Sequence, residues 1–493
     1  LISTAKLIPI SMMIIGNQVN LLLRLCLLLS LINLVACVSP NQPDLRRLYQ
    51  SSHSSQSEHH YAPIVFIHGV FGARLNHRVS QQEVWPGSIT DILFSPYDDL
   101  ALKINPATLS PLPSQYEATA INDAVAGQDF YGNIIQTLTQ AGGYELTTAG
   151  TAIQDSKRRL YLLVYDWRQD NVKTAQKLDQ LIEQIRRDHQ QPNLKVNIVA
   201  HSMGGLIARY YTRYGTDDVL DNNDFKTNSQ GAQKIHKMII IGTPNLGSVS
   251  SLHEFIQGFK VGLNRIPSEV LATMPSAFQL FPHPIRNYMI TLNGQALDRD
   301  IFDVNIWKAF QWSIFDPQVR QRIKESFPNQ QAGTRYLNTL ERYFEKHLER
   351  ARRFVWSLSI KVPAIKIPAV KLSLASNTEL KNKLIVFGGD CELTPSRLLI
   401  EEVAGISVLR LSPEDIHAPL KNINYHKLML EPGDGRVTKP SLFARDTLDP
   451  TVARHKYSFF PMSYSILLCE SHDQLTGNIN FQNNLLNILL SRD

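Results

Sequence analysis

Charge is scarce in this chain. Of 493 residues, 19% are Asp, Glu, Lys or Arg, against about 25% in ordinary soluble domains. Lys and Arg number 50 and Asp and Glu 44, a formal +6. So mild a charge over this length excludes a nucleic-acid binder argued from electrostatics, and no nucleic-acid partner is expected. Cysteine is scarcer still. Four residues cannot staple a disulfide-framework miniprotein, and no Cys/His spacing resembles a zinc site. No metal and no cofactor are expected. What is present is 43% hydrophobic, ample for a real core. The length suits about three domains, or one large α/β domain carrying insertions.

The first 36 residues hold Lys6 and Arg24 and no acid, and Arg24 leads the apolar run Leu25 to Val35. That run is shorter than the ~20 residues a membrane-spanning helix needs. A basic residue, a short apolar stretch and a small-residue exit make a secretory signal pattern. The exit Leu34-Val35-Ala36-Cys37 resembles the lipobox of bacterial lipoproteins. That resemblance implies cleavage before Cys37, lipidation of its thiol and anchoring by several acyl chains in the cell envelope. Val38 is not the aspartate that commonly retains lipoproteins at the inner membrane, so the outer membrane, facing the periplasm, is expected. Cys26 leaves with the signal, so Cys391 and Cys469 remain and are expected to bridge in an oxidising compartment.

Residues 37–60, rich in Ser, Gln, Asn and His, read as a flexible tether. Short apolar runs bounded by turn residues then predict buried strands at 62–67, 160–165, 195–200, 237–241, 384–387 and 464–468. Helical spacing covers 131–141, 174–187, 206–214, a stripe from Leu337 to Val355, and 481–490. Residues 78–125 are Pro-rich and read as a long insertion or loop. Strands alternating with helices predict a mostly parallel sheet covered on both faces. The expected organisation is a core over 61–250 and 384–493 interrupted by a largely helical cap over 251–383. No buried strand is expected between about 250 and 382, and the paired repeat Val362-Pro363-Ala364-Ile365-Lys366 and Ile367-Pro368-Ala369-Val370-Lys371 belongs to the cap. Segment 341–383 carries ten Lys and Arg against four Glu. It reads either as a lid facing anionic headgroups or as a cap helix with a solvated face.

Ala200-His201-Ser202-Met203-Gly204 lies between a predicted strand and a predicted helix, the context a G-x-S-x-G nucleophile elbow requires, with Ala200 in place of the first glycine. A serine hydroxyl needs a base in hydrogen-bond reach. In α/β-hydrolases the chain order is Ser, then Asp or Glu, then His. His472 follows the last strand and precedes the final helix, where the base belongs; His455 precedes that strand. His201 neighbours Ser202 on a tight turn, so its ring diverges from the hydroxyl. Spacing leaves two acids open: Asp390, just after a strand, and Asp434, between two glycines. An oxyanion needs two preorganised N–H donors. The Met203 N–H and, from the loop after the first strand, the Val70 N–H are the candidates.

Five blocks now stand in order: Phe66-Ile67-His68-Gly69-Val70-Phe71-Gly72, Tyr165-Asp166-Trp167-Arg168, Ala200 to Gly205, Gly242-Thr243-Pro244-Asn245-Leu246-Gly247-Ser248, and Gly433-Asp434-Gly435-Arg436-Val437. Together they resemble the lecithin:cholesterol acyltransferase family of the α/β-hydrolase superfamily over most of residues 61–490. The resemblance implies an α/β-hydrolase fold and acyl transfer from a lipid ester through an acyl-serine. The same triad serves a lipase or phospholipase, and a silent envelope scaffold is the remote alternative. It selects Asp434 as the acid and places Trp167 near a substrate pocket; a core aromatic under the sheet is the other reading of Trp167. His68 stands where many members have Pro, and Arg436 where Thr is common.

Overall fold

Runs buried on both faces build the centre of the molecule. In the computed structural model, which describes residues 42–54, 61–125, 128–360, 383–445 and 460–491, seven strands form one sheet: β1 (Ile64–Ile67), β2 (Tyr144–Leu146), β3 (Arg158–Leu163), β4 (Val196–His201), β5 (Ile235–Ile241), β6 (Leu384–Gly389) and β7 (Tyr464–Leu468). Their order across the sheet is β7-β6-β5-β4-β1-β3-β2, and every pairing is parallel. Ile64 to Ile67 and Ile239 to Ile241 are fully buried, as strands covered on both faces must be. Helices α1 (Asn171–Asp188), α2 (Met203–Tyr214), α3 (Val249–Gln257), α4 (Gln330–Ser359) and α5 (Ile479–Leu490) surround it or cap it.

The six expected strands and the main helices are present within a few residues. Differences lie where elements are too short for a period to show. β2 has three residues. The Pro-rich stretch after β1 holds a three-stranded antiparallel sheet of Ala73–His77, Glu83–Trp85 and Tyr116–Ile121. The cap is not free of buried strands: Met289–Thr291 pairs in parallel with Leu398–Val403, which pairs in turn with Ile406–Arg410. This small sheet has its own core of Ile290, Leu399, Ile416, Tyr425 and Met429. So the segment between β6 and β7 is not all central sheet; it makes a second excursion before returning.

The chain divides into residues 1–48 and 49–493. The expected signal, Cys37 and the Pro repeat at 362–371 lie outside the described residues. Within the stretch read as a tether, Leu45–Ser54 forms a helix. Among the described residues no helix is long and apolar enough to cross a membrane.

The predicted stripe on α4 is its buried face: Leu337, Leu340, Phe344, Leu348, Ala351 and Val355 are all at most 6% exposed. Of segment 341–383, residues 361–382 lie outside the described residues, and the described part is α4 from Glu341 onward, with Ile360 at its end, and Lys383 just before β6. Arg350 and Arg352 of α4 pair with Asp170 and Asp300, and Arg353 pairs with Glu349 one turn earlier on the same helix.

Candidate active site

The carboxyl ends of β1, β4, β5, β6 and β7 meet at one edge of the sheet, where ligands of open parallel sheets bind. Ser202 occupies the step from β4 into α2, with φ 54° and ψ −123°. Such backbone is costly for a residue with a Cβ and persists where the surroundings impose it. A Cβ on Gly204 would stand 2.6 Å from the Ile67 carbonyl oxygen, and one on Gly205 would collide with the Thr243 side chain. Helix α2 can therefore start against β1 and β5 only with glycine at both positions, and the tight start lifts the Ser202 hydroxyl over the edge.

Three distant side chains converge there. His472 Nε2 lies 3.0 Å from Ser202 Oγ, and His472 Nδ1 lies 2.9 Å from Asp434 Oδ2. A carboxylate only accepts, so Nδ1 carries the proton and Nε2 presents its lone pair to the serine hydroxyl. Asp434 Oδ1 accepts from the Arg436 and Val437 amides at 3.0 and 2.7 Å. The His472 amide donates to the Asp434 carbonyl at 2.8 Å. Burial raises the Asp434 carboxyl, but the charge and hydrogen bond of His472 and the two amides more than offset it, and its pKa lies below the ordinary value. Burial pushes His472 down, and Asp434 reverses this, leaving the imidazole above its usual 6.5. The other acid left open by spacing lies elsewhere: Asp390 is paired with Lys439 at 3.0 Å.

The two expected N–H donors belong to the start of α2 and to the turn after β1. Met203 is the first residue of α2, so its N–H has no intrahelical acceptor. Val70 lies in a turn closed by the Gly72 amide donating to the Gly69 carbonyl at 3.2 Å, with Phe71 at φ 63°. The same carbonyl accepts from His68 Nδ1 at 2.7 Å. In a trans peptide the N–H opposes the C=O; holding the Gly69 carbonyl therefore aims the Val70 N–H the other way. His68 is fully buried and its pKa is pushed down to about 4 by burial, so the ring is neutral.

Trp167 belongs to the packed core. It is fully buried, donates to the Ala73 carbonyl at 3.1 Å and packs on Phe71 at 4.6 Å and Trp85 at 5.5 Å. It packs as a core aromatic, and its contact with Phe71 sets it behind the Val70 turn. Asp166 and Arg168 beside it form a buried ion pair at 2.8 Å. Cys391 and Cys469 form a disulfide with Cα atoms 4.9 Å apart, tying the end of β6 to the end of β7 three residues before His472. Sequence reading did not find Tyr131, whose hydroxyl accepts from the Gly69 amide at 2.9 Å; nothing local distinguishes it from any tyrosine opening a helix. A cavity of about 810 Å³ lined by Arg286, Ile290, Arg397 and Leu428 among others shares no residue with this site.

A parallel sheet of this order with a serine on a strained strand-to-helix step and an acid–imidazole chain behind it defines an α/β-hydrolase fold. Residues 147–322, which include β3, the serine step and the Gly-Thr-Pro block, match the family model described as lecithin:cholesterol acyltransferase. Among solved structures, the Tle4–Tli4 complex contains a chain that superposes with a TM-score of 0.51 at 15% identity, over 87% of this chain and 98% of that one. Lipase 1 from Pelosinus fermentans gives 0.33 at 12% identity over 88% and 100%. The mature Bacillus licheniformis lipase BlEst2 gives 0.31 at 10% over 88% and 95%. No curated protein matches the chain.

Proposed function

We propose that this protein is a serine-dependent O-acyltransferase acting on lipid esters at the cell envelope. The observation that carries the reading is the 3.0 Å contact between His472 Nε2 and Ser202 Oγ on a strained step. The lecithin:cholesterol acyltransferase-like segment supports a lipid ester as substrate.

Ser202 Oγ attacks the ester carbonyl carbon while His472 Nε2 takes its proton. The new C–O bond converts the carbonyl oxygen to an oxyanion, which the Val70 and Met203 N–H groups receive. Asp434 holds the ring in the productive tautomer and stabilises the imidazolium. The ester C–O bond breaks, the alcohol leaves with the proton from His472, and the acyl group stays on Ser202. An acceptor alcohol then attacks, His472 takes its proton, and the new ester departs as Ser202 recovers its hydrogen. Water attacking in place of the alcohol gives a lipase or phospholipase, and the same residues serve both.

The anchor belongs to this proposal. A lipidated Cys37 places the enzyme on a membrane with its phospholipid or other lipid-ester substrate, and several acyl chains hold it there firmly.

A fluorophosphonate probe and a product assay test the reading together. The probe is expected to label wild type and not Ser202→Ala; equal labelling of both removes the nucleophile. On defined phospholipid vesicles, an added acceptor alcohol is expected to yield its acyl ester. Free fatty acid alone, at every acceptor concentration, identifies the hydrolase.

A further inference from the structure

Ser202, His472 and the Val70 turn come from three separate segments, and their relative placement has to be enforced by something. Between them lies a continuous buried chain of hydrogen bonds that the reaction itself does not use. The Gly69 amide donates to Tyr131 Oη at 2.9 Å. Tyr131 Oη lies 2.9 Å from His201 Nδ1. His201 Nε2 lies 3.2 Å from the backbone carbonyl of His472. Tyr131 is 1% exposed and His201 5%, so water is not there to substitute for a missing partner.

Only one arrangement of protons satisfies this chain. The His472 carbonyl only accepts, so His201 Nε2 carries hydrogen. Burial, aided by the neighbouring His472 charge, keeps His201 neutral, so Nδ1 is an acceptor and takes the Tyr131 proton. The Tyr131 oxygen then has its lone pairs for the Gly69 amide. Every donor runs in one direction, from the turn after β1, through the step after β4, to the loop after β7. The ring of Tyr131 is fixed independently, edge-on to Phe66 at 5.2 Å and to His201 at 5.6 Å.

The peptide that Tyr131 grips is held on its other edge as well. The Tyr165 hydroxyl donates to the His68 carbonyl at 2.7 Å, so the His68–Gly69 peptide is pinned at both its C=O and its N–H by two buried hydroxyls. The next peptide unit along carries the Val70 N–H. Rotation of the pinned plane would carry that N–H with it. A Cβ on Gly69 would stand 2.9 Å from the Ser202 Cβ, so this plane passes directly against the reacting serine.

We infer that Tyr131 is a positioning residue for the proposed acyl transfer: through its hydroxyl and His201 it locks the turn bearing the Val70 N–H to the His472 loop, so that the oxyanion donor and the base are aimed together. The inference rests on the reading of Ser202 as nucleophile.

Tyr131→Phe deletes one oxygen and keeps the packed ring. With p-nitrophenyl butyrate, kcat is expected to fall at least 10-fold with KM within 2-fold of wild type. Affinity for an alkyl boronic acid, whose adduct on Ser202 puts an oxygen in the oxyanion position, is expected to fall by a similar factor, as a transition-state analogue should. Losing an oxyanion donor outright costs about 10²–10³ in kcat, so a misaimed one sits at or below that range. His201→Asn keeps an acceptor near the Nδ1 position and drops the donor to the His472 carbonyl; its kcat is expected to fall while boronate affinity stays within about 3-fold. Unchanged kcat and boronate affinity in folded Tyr131→Phe overturn the inference. So does a parallel loss of kcat, KM and melting temperature, which marks a merely structural tyrosine. Should Tyr131→Phe not fold, His201→Asn decides: unchanged kcat overturns the inference. Wild type that fails to react with the fluorophosphonate probe removes the parent reading instead, so the two failures are distinguishable.

Discussion

Ser202 is held where an ordinary residue would relax, by a helix start packed so closely that only glycine fits at 204 and 205. What the held hydroxyl can do depends on the protonation of one ring. Acylation needs neutral His472, and Asp434 raises that imidazole above 6.5. The acid limb of the activity profile is therefore expected above pH 6.5, with activity lost as pH falls through it. Asp434→Asn removes the charge that raises the ring, so its acid limb moves to lower pH. It also releases the tautomer, so kcat drops by roughly 10⁴-fold. A pH profile of kcat/KM for both proteins checks the direction, and an acid limb that does not move down in Asp434→Asn shows that Asp434 does not set the His472 charge. Ser202 and His472 were legible from sequence because each borders a strong strand or helix signal. Asp434 was not, on spacing alone. The strand before Asp390 is the plain one, yet Asp390 turns to Lys439, while the chain runs through the 392–433 excursion and returns beside Gly389. A Cβ on Gly389 would stand 2.7 Å from the Asp434 Cβ, so it is that glycine which admits the acid. Tyr131 was invisible because its function is a contact across 62 and 70 residues of sequence, which no local pattern records.

Between elements, the tie that matters most for the cap is a charge. Helix α4 meets the amino end of α1 through Arg350, which contacts Asp170 at 2.6 Å, Asp218 at 2.7 Å and Asp221 at 2.8 Å. Asp170 is the residue that caps α1, accepting from the Val172 amide at 2.8 Å, and it is 4% exposed. Burial alone would raise its carboxyl; Arg350 pulls it below the ordinary 3.8. Arg350→Ala strands a buried carboxylate and is expected to cost about 3–5 kcal/mol at neutral pH. A depressed carboxyl contributes stability that is present above its unfolded pKa and lost as pH falls through the folded one. Without Arg350 burial raises the same carboxyl, so the gap between variant and wild type should begin to narrow as pH falls through that raised value and go on narrowing below 3.8. Urea midpoints across pH check it, and a gap independent of pH shows that packing of the arginine stem, not its charge, joins the helices. The stripe on α4 was readable because thirty residues give a period many turns to repeat. Met289–Thr291 was not, because three residues have no period, and what makes them a strand is Leu398–Val403 more than a hundred positions later.

At the scale of the whole chain, two cysteine assignments make separate claims. The Cys391–Cys469 bridge closes a loop with a sequence separation of 78, and constraining so long a loop in the unfolded chain typically stabilises by about 2–4 kcal/mol. Replacing both cysteines by serine should lower the urea midpoint accordingly; an unchanged midpoint means the bridge restrains only the His472 loop. Cys37 is a different kind of residue, because the proposed anchor precedes in sequence every segment that supplies Ser202, Asp434, His472 and the Val70 turn. Chemistry and address should therefore come apart under mutation. Cys37→Ser is expected to keep kcat on a soluble short-chain ester within 2-fold, since none of the groups assigned to the chemistry changes. It is expected to move the protein from the membrane pellet to the soluble fraction, because without the thiol no acyl chain is attached and nothing offsets the entropy of holding the enzyme at a surface. Activity on lipid vesicles should then fall with the bound fraction, at unchanged turnover for each bound molecule. Cys37→Ser that stays in the pellet shows that the surface is held by some other part of the chain, and the lipobox reading fails while the Ser202 chemistry stands.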